Sequence, residues 1–296
     1  MRPVKIITDS CSDLTKELRE KYDIDYVRMN VTLEGSEMVA SLDWDFMAPD
    51  KFYQAMREGT RFRTTQVPVA EFSRAFKEYV EAGYDIVYIG CSSKQSGSVN
   101  TGNVVARDFI EKYPEAHIFC IDSLNACMGE GILAIRAAMY RDKGLDAQSI
   151  TDRIMSERNI INEFCTVHSL EYLKNAGRVK ASAAFFGNLL GVKPILIADR
   201  NGYQTPLKKV KGRQASIQEL VKLMKDAITD PEEQTIYIMH ADCIEEAKKL
   251  EAMVKEAIPC KDTYISYIGP IIGASIGPDA IALWAVGKEV TFSAEN

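Results

Sequence analysis

The first half of the chain alternates between short apolar runs and helical stripes. The runs "VKIITD" (4–9), "DYVRMNVTL" (25–33) and "DIVYIG" (85–90) are rich in β-branched and aromatic residues and predict strands. Between them, "PDKFYQAMREG" (49–59) and "VAEFSRAFKEYVEAG" (69–83) repeat their apolar residues at helical spacing. This alternation predicts a three-layer α/β/α domain around a parallel sheet.

The second half has a different pattern. Only two long amphipathic helices are predicted there, around residues 216–228 and 245–258. Six runs predict strands: "EFCTVHSL", "KPILIAD", "YQTPLKKV", "TIYIMHA", "TYISYIG" and "AIALWAV". We therefore expect an α/β chain of two domains. The first, residues 1–160, is followed by a second, residues 161–296, with a mixed sheet of about six strands and helices on one face.

Hydroxyl residues gather at the predicted strand ends. The loop "CSSKQSGSVNTG" (91–102) follows one strand, "TDS" (8–10) ends another, and the turn "RTTQVP" (63–68) precedes a helix. Ligands of open α/β sheets bind at the carboxyl ends of the strands. A candidate anion receptor is thus formed by Thr64, Thr65, Ser92, Ser93 and Ser96. The alternative is that these side chains only cap helices and solvate loops.

Charge and composition exclude several classes of function. The net charge of −6 argues against nucleic acid as a partner, because such binding depends on neutralising phosphates. No apolar run approaches the roughly 20 residues that span a bilayer, and the start of the chain does not have the pattern of a secretory signal. Seven cysteines without regular spacing indicate reduced thiols in a cytoplasmic protein. The three histidines have no metal-ligand spacing.

Three catalytic motifs are approximated but not matched. Gly90 and Gly97 are too far apart for a phosphate-binding P-loop, and no Lys-Ser pair follows. The run "GEGILA" (129–134) is better explained as a helix start with glycines for close packing than as a dinucleotide fingerprint. The run "GASIG" (273–277) has the spacing of a nucleophile elbow, but a strand is predicted after it and no histidine follows.

Seven stretches, taken in order along nearly the whole chain, resemble the successive motifs of the DegV family of bacterial fatty-acid-binding proteins. They are "IITDSCSDL", "TTQVPVAEF", "SSKQSGS", "IDSLNACMGEG", "SLEYLKNAGRV", "LLGVKPIL" and "IGPIIGASIGPDA". The resemblance implies a non-catalytic protein that holds one long-chain fatty acid and presents its carboxylate to a separate fatty acid kinase subunit. No cofactor and no metal are expected. A transient membrane contact is compatible with this function.

The resemblance also implies a set of site residues. The carboxylate is expected at Thr64, Thr65, Ser92, Ser93, Ser96, Gly97 and Ser275, with Arg178 and Asp279 near the head group. The strongly apolar run "AAFFGNLLGVKPILI" (183–197) is expected either to pack the core or to line the acyl-chain pocket. The expected pocket residues are Phe185, Phe186, Leu189, Leu190 and Ile195.

One departure from the family pattern lies close to the expected head group. The family usually has His-x-Gly-Pro-Gly where this chain has Ser275-Ile-Gly-Pro-Asp279, so a histidine is replaced and a negative charge is added.

Two other functions stay open. One is a small-molecule kinase-like enzyme, because the family's architecture is similar to a dihydroxyacetone-kinase domain. The other is a carrier or sensor of a different amphiphile without a kinase.

Overall fold

The computed structural model describes residues 2–181, 185 and 191–294. The strands in these ranges are β1 (Val4–Asp9), β2 (Ile24–Val27), β3 (Met29–Leu33), β4 (Ser36–Ala40), β5 (Arg63–Thr64), β6 (Asp85–Gly90), β7 (Ile118–Asp122), β8 (Ile161–Thr166), β9 (Val192–Ala198), β10 (Gln204–Lys211), β11 (Thr235–His240), β12 (Asp262–Tyr267) and β13 (Ile281–Val286). The helices are α1 (Lys16–Lys21), α2 (Pro49–Arg57), α3 (Val69–Glu81), α4 (Ser98–Lys112), α5 (Met128–Asp142), α6 (Ala147–Glu157), α7 (Glu171–Ala176), α8 (Arg213–Ala227), α9 (Ile244–Ala257) and α10 (Pro270–Ile276).

The predicted parallel sheet is confirmed, with strand order β2-β1-β6-β7. Helices cover both of its faces. Ile7 lies opposite Tyr88 in the ladder, so Thr8 and Tyr88 project to opposite sides. Thr8 donates a hydrogen bond to Glu130 on α5, whereas the ring of Tyr88 contacts Phe72 on α3. The parallel sheet and its helices therefore form a three-layer α/β/α arrangement, as predicted.

A small third sheet was not predicted. The run 25–33 forms two strands rather than one: β2 joins the parallel sheet, and β3 pairs antiparallel with β4 and β5. The break falls at Arg28, whose backbone N–H donates to Glu71 on α3 at 3.3 Å and not to a neighbouring strand. The consequence for function is that β5, which carries Thr64, is held on the edge of this small sheet.

The second sheet has six strands in the order β10-β9-β8-β13-β11-β12, and it is mixed because only β11 and β12 run parallel. The two predicted helices are α8 and α9, and their apolar stripes form one buried cluster with one face of this sheet. The other face contributes Cys165, Leu196 and Trp284 to the core of the first sheet. Within the described ranges, no helix has the length and apolar character to cross a membrane.

Candidate functional site

A cavity of about 330 Å³ lies between the two sheets, within the size range of small-molecule pockets. Its walls come from the carboxyl ends of β1 and β6, from the small sheet, from α10 and from the inner face of the second sheet. Its lining residues are Cys11, Met29, Thr64, Thr65, Gln66, Cys91, Ser93, Lys94, Gln95, Ser96, Gly97, Ala126, Cys127, Glu163, Cys165, Leu173, Arg178, Val179, Gln204, Ile268, Ile271, Ile272, Ser275, Ile276 and Trp284.

The lining residues fall into an exposed polar group, which we call the polar end, and a buried group, which we call the buried end. Ser93, Lys94 and Arg178 are exposed, whereas the cysteines that line the cavity, together with Trp284 and Glu163, are buried. A ligand with one charged end is therefore better accommodated with that end toward Ser93, where water and polar groups remain available.

The two threonines of the turn 63–68 both line the cavity. Thr64 ends β5, and the backbone N–H of Thr65 donates to Asn30 on β3 at 3.0 Å, so the small sheet fixes this turn. The Oγ1 atom of Thr65 is buried and has no hydrogen-bond partner among the described residues. A buried hydroxyl without a partner is costly, so this atom is poised to donate to a ligand.

The loop after β6 places two further hydroxyls at the cavity. The Ser93 hydroxyl forms no hydrogen bond with the described residues. The Ser93 backbone N–H donates to Asp122 Oδ1 at 3.2 Å. The Ser96 and Ser98 hydroxyls lie 2.9 Å apart, and Ser98 Oγ also accepts from the Val67 N–H. If Ser98 donates within this pair, the Ser96 proton is free to point at a ligand.

Gly97 stands immediately before α4, whose N-terminus carries the positive end of the helix dipole. A Cβ atom at this position would lie 2.0 Å from Oε1 of Gln66. The absence of a side chain thus allows Gln66 to cross the turn and donate to Thr101 at 2.8 Å. This contact ties the threonine turn to the serine loop.

Two predicted residues stand at the rim. Ser275 lies on α10 and its hydroxyl contacts the carbonyl of Ile271 at 3.4 Å, one turn earlier in the same helix. Arg178 is exposed, and its guanidinium donates to the carbonyl of Ala176. Both residues, together with Thr64, also line an adjoining pocket of about 430 Å³. The positive charge of Arg178 therefore lies at the rim of the polar end.

Three other predicted residues lie away from the cavity. The buried Ser92 hydroxyl donates to the carbonyl of Gly202 at 2.7 Å, so it fastens the serine loop to the second domain's β9–β10 turn. The Asp279 carboxylate pairs with Arg57 at 2.7 Å, and Arg57 also pairs with Asp242 at 2.6 Å, so two carboxylates share one guanidinium. Ile195 is fully buried on the face of the second sheet that packs under α8 and α9.

Three of the predicted acyl-chain residues, Phe186, Leu189 and Leu190, lie outside the described residues. Phe185 is described. It packs against the core that includes the cavity walls, and the Nζ atom of Lys209 lies 4.7 Å from its ring centroid. Its role in an acyl pocket stays a prediction.

The apolar wall comes from residues that the sequence analysis did not select. Four isoleucines of the segment 268–276 line the cavity, on and just before the short helix α10. Cys11, Cys91, Cys127 and Cys165 line it as well, and all are free thiols. Burial raises the pKa of Cys127 and of Cys165 well above the ordinary value, so these thiols are neutral and act as small, weakly polar wall groups.

Glu163 is the unexpected polar group of the buried end. Its Oε1 atom accepts a hydrogen bond of 2.7 Å from the Gln204 amide. Burial raises the pKa of Glu163 to about 7, although the neighbouring Gln204 and Trp284 donors lower it. Its signal in the sequence was weak, because "INEFCT" is a continuous buried strand in which both faces carry polar residues.

The described residues contain no group of three or more histidine, cysteine or acidic side chains suited to a metal ion. The run "GEGILA" opens α5, where a Cβ atom on Gly131 would lie 2.8 Å from the carbonyl oxygen of Ser12. Close packing accounts for that glycine, as predicted. The run "GASIG" overlaps the seven-residue helix α10 and β13 comes after it.

Comparison with known proteins agrees with this arrangement. The family model described as "Uncharacterised protein, DegV family" matches residues 3–288. A DegV domain-containing protein of Clostridium perfringens is 36% identical over 287 residues, which are 97% of this chain and 98% of that relative.

Two solved structures share the fold over their whole length. A DegV family protein of Thermus thermophilus, described with its fatty acid binding, has a TM-score of 0.86 and 25% identity, and the match covers 97% of this chain and 100% of that one. A stearic-acid-binding protein of Eubacterium ventriosum has a TM-score of 0.82 and 26% identity, with 96% and 98% covered. The family match over almost the entire sequence, supported by these relatives, shows that this chain belongs to the DegV family.

Proposed function

We propose that this chain binds one long-chain fatty acid in the cavity between its sheets, with the carboxylate at the exposed hydroxyl end. The observation that carries the proposal is that Thr65 lines the cavity while its buried hydroxyl has no partner among the described residues. The solved relatives described as binding a fatty acid support the same ligand class.

The receptor is suited to a carboxylate that must remain accessible. Thr65, Ser93 and Ser96 supply neutral donors, and the N-terminus of α4 adds a favourable dipole. Lys94 and Arg178, both exposed, supply positive charge at this part of the cavity lining. Hydrogen bonds to a charged group contribute roughly 1.5–3 kcal/mol each, so this end fixes orientation.

Most of the affinity is assigned to the acyl chain. The walls beyond the receptor are formed by Met29, Ala126, Leu173, Val179 and the isoleucines of 268–276. Each methylene removed from water contributes about 0.8 kcal/mol before the costs of association. An aliphatic chain therefore gains far more from this cavity than a small polar metabolite would.

The finer part of the proposal concerns a partner. A carboxylate held by neutral donors at an exposed rim can be reached by a second protein, and the sequence itself has no P-loop motif. We infer that the loaded protein presents the carboxylate to a separate fatty acid kinase, which transfers the terminal phosphoryl group of ATP to it. Incubation of the loaded chain with such a kinase and ATP should release ADP; no release would favour a carrier without a kinase.

The binding proposal is tested with two ligands that differ only at the head group. Delipidated protein should bind stearic acid more tightly than stearyl alcohol, because the alcohol cannot accept charge-assisted hydrogen bonds. Thr65→Ala and Ser93→Ala should each weaken stearic acid binding about ten- to a hundredfold. Ser156→Ala, an exposed hydroxyl on α6 outside the cavity, is the matched control and should bind as the parent does. Equal affinities in all four proteins would place the carboxylate elsewhere.

A further inference from the structure

The buried end of the cavity contains a group of polar side chains that a plain acyl chain does not need. Glu163, Gln204 and Trp284 all line the cavity, and none is more than 8% exposed. They come from three strands of the second sheet, β8, β10 and β13. Their position on regular strands holds them more rigidly than a loop would.

The sheet register brings two of these side chains together. Glu163 and Trp284 are direct partners in the antiparallel ladder between β8 and β13, so their side chains leave the same face side by side. Cys165, two residues along β8, also lines the cavity, which confirms that this face looks into it. The Gln204 amide approaches from the edge strand and reaches Glu163 Oε1 at 2.7 Å.

The hydrogen-bond inventory of this group is incomplete. Gln204 occupies one carboxyl oxygen of Glu163, and the described residues form no hydrogen bond to the other. The indole N–H of Trp284 is buried and lies close enough to the carboxyl to lower the pKa of Glu163, but it completes no hydrogen bond with any described residue. A carboxyl oxygen and an indole N–H therefore lie side by side without hydrogen-bond partners among the described residues.

A ligand hydroxyl complements this pair. Its oxygen can accept from the free side of Glu163 when the carboxyl is protonated, or its proton can be donated there when the carboxyl is ionised, and its lone pairs can accept from the Trp284 N–H. A methylene at the same place would leave both protein groups buried without partners, which is the situation that buried polar groups in folded proteins avoid. Resting on the proposed function, we propose that the Glu163–Trp284 pair selects fatty acids that carry a hydroxyl group on the acyl chain.

The test is a binding series on delipidated protein. Stearic acid is compared with monohydroxystearic acids whose hydroxyl is moved along the chain. We expect one position to bind at least about tenfold more tightly than stearic acid, since a methylene at that place leaves buried polar groups without partners, at a cost of roughly 1–3 kcal/mol. The preference, taken as the ratio of the two affinities, should fall to about one in Trp284→Phe, which keeps an aromatic ring but removes the N–H, and in Glu163→Leu.

Two controls separate this inference from the proposed function. Thr65→Ala should weaken the binding of both acids and keep the ratio of their affinities, because it alters the carboxylate end. Ser156→Ala should change neither affinity. If the parent protein binds stearic acid and every hydroxy isomer with equal affinity, the inference is overturned but the proposed function is not. A parent that prefers one isomer while Trp284→Phe keeps that preference overturns the assignment to this pair. A parent that binds none of the acids overturns the proposed function itself. If Glu163→Leu does not fold, Trp284→Phe decides.

Discussion

The buried carboxyl of Glu163 makes stability depend on pH in a direction that can be measured. Its pKa rises from 4.5 to about 7 on folding, chiefly through burial, which corresponds to about 3 kcal/mol. Between these values the unfolded chain has released its proton while the folded chain retains it. The contribution of Glu163 to the free energy of unfolding is therefore fully present below pH 4.5 and is lost as pH rises through 7.

Glu163→Gln removes this titration while its amide oxygen can still accept from Gln204. We expect parent and variant to have similar free energies of unfolding near pH 4.5. Above pH 7 the variant should be the more stable by up to about 3 kcal/mol. The assay is urea unfolding of lipid-free protein, followed by far-ultraviolet circular dichroism, at half-unit steps from pH 4 to 8.

Glu251→Gln is a control in which the difference in free energy of unfolding between variant and parent should have the opposite sign. Hydrogen bonds from Lys255 and Thr263 lower the pKa of Glu251, so its contribution is present above pH 4.5 and lost as pH falls through the folded value. Relative to the parent, that variant should lose stability only in the higher part of the range. A difference between parent and Glu163→Gln that stays constant from pH 4 to 8 would refute the assignment of Glu163 as a buried carboxyl that holds its proton.

Three further changes test how the polar end is built. Ser275→Ala should weaken fatty-acid binding by less than about tenfold, less than Ser93→Ala, because its hydroxyl is already turned to the Ile271 carbonyl; an equal loss in the two variants would contradict this. Ser275→His should bind fatty acids more tightly at pH 5.5 than at pH 8, since only the imidazolium adds a positive charge, and a profile like the parent's would contradict that reasoning. Gly97→Ala should displace Gln66 and lower the melting temperature, and Gln66→Ala in the same chain should remove most of the loss; no rescue would mean that the clash is not the cause.

The sequence was informative wherever a pattern repeats along an element. The six strands of the second sheet and the helices α8 and α9 were all predicted, because alternation and helical spacing extend over many residues. The break at Arg28 was missed because "DYVRMNVTL" has strand character on both sides of it. The seven residues of α10 are too few to show a helical period.

At the site, the sequence did not show in which direction individual side chains point. Ser92 and Ser93 are adjacent and chemically identical, yet one fastens the loop to Gly202 and the other lines the cavity. Asp279 pairs with Arg57, which lies 222 positions away, and no local pattern reveals such a pair. Glu163 was missed for a related reason, since a strand buried on both faces does not show which residues look into a cavity.

The central claim, that this chain holds a fatty acid, is tested most directly by identifying what the protein carries when it is isolated from cells. The protein is purified without detergent, denatured, extracted with organic solvent, and the extract is quantified by mass spectrometry against the protein concentration. We predict about one long-chain fatty acid per chain, less in Thr65→Ala, and a hydroxylated species enriched over its share of the cell's fatty acids. A protein that is isolated empty, and that takes up no fatty acid when stearic and hydroxystearic acids are offered, would contradict the account.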